Sequence, residues 1–169
     1  HPISLESIHR RLSKNALPIH LPIGFEKDIC GVVDLIDMKA YTYKDYTDHE
    51  LVVGDIPADM VEKAKNARAL LVEAAVEADD ALFEKYLEEG EEAISVEDLK
   101  KNLRKRVLAG DFYLVTGGDG RGVIVEKVLD LITDYLPSPL DVDAIWGTNA
   151  KPGEEIKREP SEKEPLAAL

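Results

Sequence analysis

The chain has 169 residues, of which 44% are apolar and 33% are charged, as in an ordinary globular protein. No stretch approaches the roughly 18 uncharged apolar residues of a membrane span, and the net charge of −13 argues against a broad nucleic-acid surface. The single cysteine, Cys30, excludes an internal disulfide. The first residues lack a secretion signal, so we expect a cytoplasmic protein with no membrane partner and no strong nucleic-acid binding.

The first part of the chain predicts a short helix followed by a pair of strands. Residues 3–14 place apolar side chains at helical spacing. Residues 17–23 alternate between apolar and other side chains, and their prolines favour an edge strand. Residues 32–43 predict a second strand whose alternation slips near Asp37, which suggests a bulge or a bend. Together the two strands predict an antiparallel hairpin.

The middle of the chain predicts three helices. A long helix starts near Pro57 and runs to about Asp80, with one apolar face and one acidic face. A second helix contains Leu82 and Leu87 and ends at Gly90. A third helix begins after Ser95, which is typical of an N-cap, and stops at Gly110.

The last part of the chain predicts a strand, a tight turn and a helix, which is half of an α/β unit. Residues 112–116 are a continuous apolar run, a glycine-rich turn follows, and residues 123–136 have helical periodicity. Residues 138–165 are rich in Pro, Gly, Glu and Lys and predict an extended linker.

Five segments resemble the bacterial-type elongation factor G family, in the family's order and at about its spacing. They are residues 17–24 (LPIHLPIG), 31–35 (GVVDL), 55–61 (DIPADMV), 84–87 (EKYL) and 134–142 (DYLPSPLDV). The last of these is the most specific, because helix formation alone does not dictate it. The resemblance covers nearly the whole chain.

The resemblance implies a layout in four parts. Residues 1–15 would be a helix of the GTP-binding domain, 16–111 its insert, 112–137 its last strand and helix, and 138–169 the linker to a second domain. The expected fold class is therefore α/β with an α+β insert. The insert would hold an antiparallel hairpin or small sheet packed with three helices, and the rest would be a strand–loop–helix piece of a P-loop-type GTPase domain.

The resemblance also implies a function, as part of a ribosomal translocation factor whose insert contacts the stalk protein of the large subunit. By position, the acids of that contact correspond to Glu73, Glu77 and Asp80, which we expect on one side of the long helix. The parent family uses GTP and Mg²⁺. This chain contains no GxxxxGK[ST] and no NKxD segment, so we expect it to hold no cofactor and to be inactive alone.

The loop after residue 116 occupies the place where the family contacts guanine. Gly117, Gly118 and Asp119 stand there, but the family's Ser-Ala motif is absent, and a simple glycine connection is the favoured interpretation. The DxxG match at residues 119–122 is taken as chance, because it precedes a closing helix. The four histidines lack metal-ligand spacing, so we expect no metal site and no catalytic residue.

Two other functions stay open from the residues alone. One is a stand-alone acidic helical interaction module without GTPase activity, and the other is a small phosphate-binding enzyme built around residues 116–122. The basic run at residues 100–106 is expected to be a solvated helix face.

Overall fold

The computed structural model describes residues 2–43, 51–118, 124–141, 144–148, 155–161, 163 and 165. The chain divides into two compact units, His1–Leu136 and Pro137–Leu169. The first unit contains five helices and six strands among the described residues. The helices are α1 Pro2–Arg11, α2 Val61–Val76, α3 Asp80–Glu89, α4 Val96–Ala109 and α5 Val125–Tyr135, and the strands are β1 Ala16–Pro18, β2 His20–Ile23, β3 Gly31–Asp34, β4 Lys39–Thr42, β5 Val52–Gly54 and β6 Tyr113–Val115.

Two sheets organise the first unit. Strands β2, β3, β4 and β5 form an antiparallel sheet in that order, while β1 pairs in parallel with β6. The predicted hairpin is therefore present as β2 and β3, but the predicted single strand over residues 17–23 is wrong. It divides at Ile19, whose N–H donates to the Val115 carbonyl and whose carbonyl accepts from the Leu35 N–H, both at 3.0 Å.

The predicted strand over residues 32–43 is two strands, β3 and β4, and the irregularity predicted near Asp37 as a bulge or a bend is the turn that joins them. Aspartate side chains stabilise this turn, since Asp34 accepts from the Ile36 N–H at 2.8 Å and Asp37 from the Lys39 N–H at 3.2 Å. Met38 completes the reversal at φ +56°. The sequence concealed the turn because Ile36 within it is apolar and buried.

The predicted long helix ends earlier than expected, at Val76. Asp79 has extended backbone at φ −152°, and its side chain accepts from the Leu82 N–H at 3.2 Å. An aspartate in this position is an N-cap and starts a new helix, so Asp80 opens α3 instead of closing α2. The caps predicted for the third helix are present, because Ser95 accepts from the Asp98 N–H and Gly110 is left-handed.

One hydrophobic core joins the four-stranded sheet to α2 and α4, and Tyr135 of α5 is a buried member of it. Its fully buried members include Ile19, Val33, Leu35, Leu71, Leu99 and Leu103. The predicted fold class, α/β with a small antiparallel sheet packed with helices and a strand–loop–helix piece, is confirmed.

The second unit holds an antiparallel pair, β7 Ile145–Thr148 with β8 Glu155–Arg158. The sequence predicted only an extended linker here, because the two strands are short and the residues around them are rich in Pro, Gly, Glu and Lys. Within the part of the chain that the structure describes, none of the helices has the length and apolar character needed to cross a membrane.

Candidate functional site

The three predicted partner-binding acids are exposed but do not share one helix. Glu73 lies near the end of α2, Glu77 caps that helix, and Asp80 begins α3. The expectation that a single helix presents all three carboxylates is therefore wrong. Glu77 is also engaged, since its carboxylate accepts from Nη1 of Arg106 at 2.7 Å.

The basic run at residues 100–106 ties α4 to its neighbouring helices. Arg106 donates to the Ala74 carbonyl at 2.8 Å and Lys105 to the Ala78 carbonyl at 2.6 Å. Lys100 and Arg104 contact the carboxylate and the carbonyl of Asp134, at 2.8 and 2.7 Å. These acceptors lie at the ends of α2 and α5, where cations complement the helix dipole. Lys100, Lys101 and Lys105 are exposed, as expected for a solvated helix face, and Arg104 and Arg106 are partly buried, so the run also packs α4 against its neighbours.

The predicted guanine-loop residues begin directly after β6. Gly117 and Gly118 are exposed, and Asp119 lies outside the described residues. A Cβ added at Gly117 would meet nothing within 4 Å. Packing within the chain therefore does not require glycine at this position.

A buried polar cluster that sequence analysis missed lies where β2 and β3 meet α5 and the end of β6. His20 and Asp34 are partners across the hairpin, with 3.5 Å between Nε2 and Oδ2. Nδ1 of His20 forms a 2.8 Å hydrogen bond with the Thr116 hydroxyl. Nζ of Lys127 lies 3.1 Å from Oδ2 of Asp34 and 3.5 Å from the centre of the Tyr41 ring. The cluster therefore joins the four-stranded sheet to both segments that flank the glycine loop.

Asp34 carries the negative charge of this cluster. Burial by itself raises the pKa of Asp34, but hydrogen bonds from His20 and the Ile36 N–H, with the positive charge of Lys127, lower that pKa to about 2. Burial lowers the pKa of Lys127, and the Asp34 carboxylate outweighs it and raises the pKa above its usual value. Both groups are thus held in their charged forms.

A cavity of about 120 Å³ opens beside the cluster, between the hairpin, α4 and α5. Its walls include Asp34, Asp130, Lys100 and Tyr135. The buried Tyr135 hydroxyl has no hydrogen-bond partner among the described residues, and burial raises the pKa of Tyr135 well above its usual range. The cavity is thus lined by charged side chains together with apolar ones such as Ile19 and Leu131.

Thr116, His20 and Asp34 follow the hydroxyl–imidazole–carboxylate order of a nucleophilic triad, but their surroundings favour a structural role. His20 is only 6% exposed, so a substrate has little access to its ring. Asp34 already accepts from Ile36 and Lys127. Among the described residues, no group of three His, Cys, Asp or Glu side chains could hold a metal ion.

Only part of this cluster could have been predicted from the sequence. The hairpin register, once known, brings His20 opposite Asp34. Thr116 and Lys127 carry no such local signal, because they lie 96 and 93 positions from their partners.

Comparison with models of known protein families gives no match. Among solved structures, the chain is similar to a protein from Thermus thermophilus, with a TM-score of 0.70 and 31% sequence identity. The similarity covers 85% of this chain and 21% of the Thermus chain. The chain thus spans about a fifth of the length of that protein.

Proposed function

We propose that this chain is part of a translational GTPase of the elongation factor G type, whose insert, residues 16–111, contacts the stalk protein of the large ribosomal subunit. The observation that carries the proposal is the parallel pairing of β1 with β6 across a long intervening segment. β6 is followed by a glycine loop and then α5. A last core strand and helix are what the sequence resemblance implies for the end of the GTP-binding domain, and the parallel pairing is typical of α/β domains.

The exposed face of α5 supports a larger parent domain. Val125, Leu129, Ile132 and Leu136 recur at helical spacing and are all about half exposed. Parallel sheets are normally covered on both faces, and two parallel strands are fewer than such sheets hold. In a larger α/β domain, further strands and helices would cover these side chains.

In this proposal, residues of the parent domain that lie outside this sequence bind GTP and Mg²⁺ and hydrolyse the nucleotide. Gly117, Gly118 and Asp119 would stand at the guanine contact without completing it. We expect the isolated chain neither to bind nor to hydrolyse GTP, because phosphoryl transfer depends on the missing phosphate-binding groups. Calorimetric titration with Mg²⁺–GTP tests this, and micromolar affinity would contradict it.

The DNA upstream of His1 separates the proposal from a stand-alone acidic module. A coding sequence for a P-loop and an NKxD segment, in frame with this chain, is expected if the chain is part of a GTPase. An open reading frame that begins near His1 would overturn the proposal.

The stalk contact is tested by binding of the purified C-terminal domain of the stalk protein. Exposed carboxylates mainly set the association rate, and salt screens them over about 10 Å at 0.1 M. We expect weak, salt-sensitive binding that slows about tenfold in the double variant Glu73→Lys/Asp80→Lys. Glu77 is left unchanged because its partner is Arg106.

A charge-matched control is Glu6→Lys/Asp28→Lys, which alters two exposed acids on α1 and on the connection before β3. This control should bind at nearly the rate of the unmodified chain. Equal slowing in both double variants would mean that net charge alone governs association, and the proposed position of the contact would then fail.

A further inference from the structure

The residue that begins α5 has a strained backbone. Ile124 is the N-cap of this helix and lies in the left-handed region at φ +75°. A β-branched residue rarely adopts this conformation, because its Cβ crowds the following carbonyl oxygen. Of the three non-glycine residues with positive φ among those described, Ile124 alone is β-branched and buried. Within the same part of the chain, no side chain caps this end of α5.

Contacts with the four-stranded sheet hold Ile124 in this conformation. Its side chain is 3% exposed and packs with Val32 of β3 and with Tyr43, which directly follows β4. The Tyr43 hydroxyl donates to Glu126 in the first turn of α5 and accepts from the Ile124 N–H. A strained backbone persists only where its surroundings enforce it, so the sheet maintains the strain at the start of α5.

The buried polar cluster connects the same turn of α5 to the residue before the glycine loop. Thr116 directly precedes that loop, and its hydroxyl is hydrogen-bonded to His20. His20 in turn pairs with Asp34, and Asp34 pairs with Lys127 in the first turn of α5. The segments on both sides of the glycine loop are therefore joined to one sheet, through a contiguous series of contacts.

We infer that the start of α5 is a two-state element, docked on the sheet with Ile124 strained or released with Ile124 relaxed, and that the cluster couples it to the start of the glycine loop. In the released state the φ of Ile124 is negative, and Tyr43 separates from Glu126. Strain favours release and the sheet contacts favour docking, so a change on either side of the loop shifts the population. The inference concerns the fold of this chain and does not depend on the proposed function.

Amide hydrogen exchange measured by NMR on the unmodified chain gives the first test. The Val128 N–H donates to the Ile124 carbonyl at 3.1 Å, and the Leu99 N–H donates to the Ser95 carbonyl at 2.9 Å in the corresponding bond of α4. Ser95 is an unstrained N-cap at φ −68° whose side chain caps α4. After correction for intrinsic rates, Val128 should exchange at least tenfold faster than Leu99. Equal protection of the two amides would overturn the inference.

The strain is tested by comparing Ile124→Gly with Ile124→Ala. Both variants remove the side chain beyond Cβ, but only glycine has no Cβ to crowd the backbone at positive φ. The equilibrium constant for unfolding in urea should therefore be at least fivefold larger for the alanine variant. Ile94 is the matched control, since it is 4% exposed and has φ −85°.

At Ile94 the order should reverse, because glycine there only adds conformational entropy to the unfolded chain. An Ile124→Ala variant as stable as Ile124→Gly would contradict the strain and the inference with it. If neither variant at Ile124 folds, the comparison of Val128 with Leu99 decides, since it needs no substitution.

The coupling is tested with Thr116→Val, which removes the hydroxyl that contacts His20 and keeps the size of the side chain. Exchange of the Val128 amide should rise at least threefold relative to Leu99. Thr133→Val is the control, because its hydroxyl contacts only carbonyls of α5 itself among the described residues, and it should change the ratio less than twofold. An unchanged ratio in folded Thr116→Val, or an equal rise in both variants, would refute the coupling.

Discussion

Lys127 in α5 and Asp34 at the end of β3 form a buried ion pair with 3.1 Å between Nζ and Oδ2. The two side chains are 13% and 11% exposed, so water screens the pair only slightly. The helix α5 follows the glycine loop, and β3 belongs to the antiparallel sheet. This ion pair therefore holds α5 against that sheet.

Replacing Asp34 by asparagine should lower the free energy of unfolding by about 2 to 3 kcal/mol. The change leaves the Lys127 ammonium largely buried without its counter-charge, and a buried charge without a partner is costly. Urea denaturation measures the effect. The control Asp130→Asn alters an exposed carboxyl on the wall of the same cavity and should stay within about 0.5 kcal/mol. Equal stability of the two variants would contradict the importance of the pair.

The stability supplied by Asp34 should depend on pH. Its pKa in the folded chain is about 2, below the usual 3.8, so the unfolded chain binds a proton at this carboxyl more readily. The contribution is therefore complete above about pH 4 and is lost as the pH falls towards 2. The difference in unfolding free energy between the original chain and Asp34→Asn should shrink by about 2 kcal/mol from pH 5 to pH 2. A constant difference across this range would contradict the assignment.

Gly31 in β3 should not tolerate alanine. A Cβ there would lie 2.1 Å from the Tyr41 carbonyl oxygen and 2.8 Å from Cα of Thr42, both backbone atoms of the paired strand β4. The strands must separate to relieve the overlap, and we expect a loss of about 2 kcal/mol or more in unfolding free energy. Gly54→Ala in β5 is the matched control, since nothing lies within 4 Å of its added Cβ. Similar stability of the two variants would show that the β3–β4 pair adjusts easily.

Tyr135→Phe should leave stability unchanged or raise it by up to about 1 kcal/mol. The hydroxyl it removes is buried and unsatisfied among the described residues, and such a group costs free energy. Tyr43→Phe is the comparison, because the Tyr43 hydroxyl donates to Glu126 and its loss should destabilise by about 1 kcal/mol. A loss above 1 kcal/mol in Tyr135→Phe would contradict the view that this hydroxyl lacks a stabilising partner.

Sequence patterns predicted the elements whose signals are local. Ser95 and Gly110 bound α4 because capping depends on residues a few positions apart. The division of the strand at Ile19 depends instead on two partners, Val115 and Leu35, that no local pattern reveals. Aspartate is a common N-cap residue, so Asp79 could have predicted the start of a new helix. The apolar residues keep helical spacing through Ala78, however, and this periodicity predicted a longer helix.

The candidate site was less predictable than the fold. The resemblance to elongation factor G predicted Glu73, Glu77 and Asp80 as partner-binding residues, and all three are exposed. The ion pair of Glu77 with Arg106 joins two helices and could not be derived from spacing. The His20 cluster depends on packing between segments that are distant in sequence, for which a single sequence carries no direct evidence.

The chain leaves the β1–β6 pair at one end of its ladder and returns at the other end, as a parallel pair requires. Ile19 donates to Val115 where the chain departs, and where it returns the Tyr113 N–H donates to the Asn15 carbonyl at 3.0 Å. Because β1 and β6 pair over only three residues, the excursion has to span only this short ladder, and it places little geometric demand on the strands it interrupts. Residues 19–112 can therefore vary in length in evolution while the flanking strands keep their register, provided that Asp34 and the core that receives Tyr135 are kept.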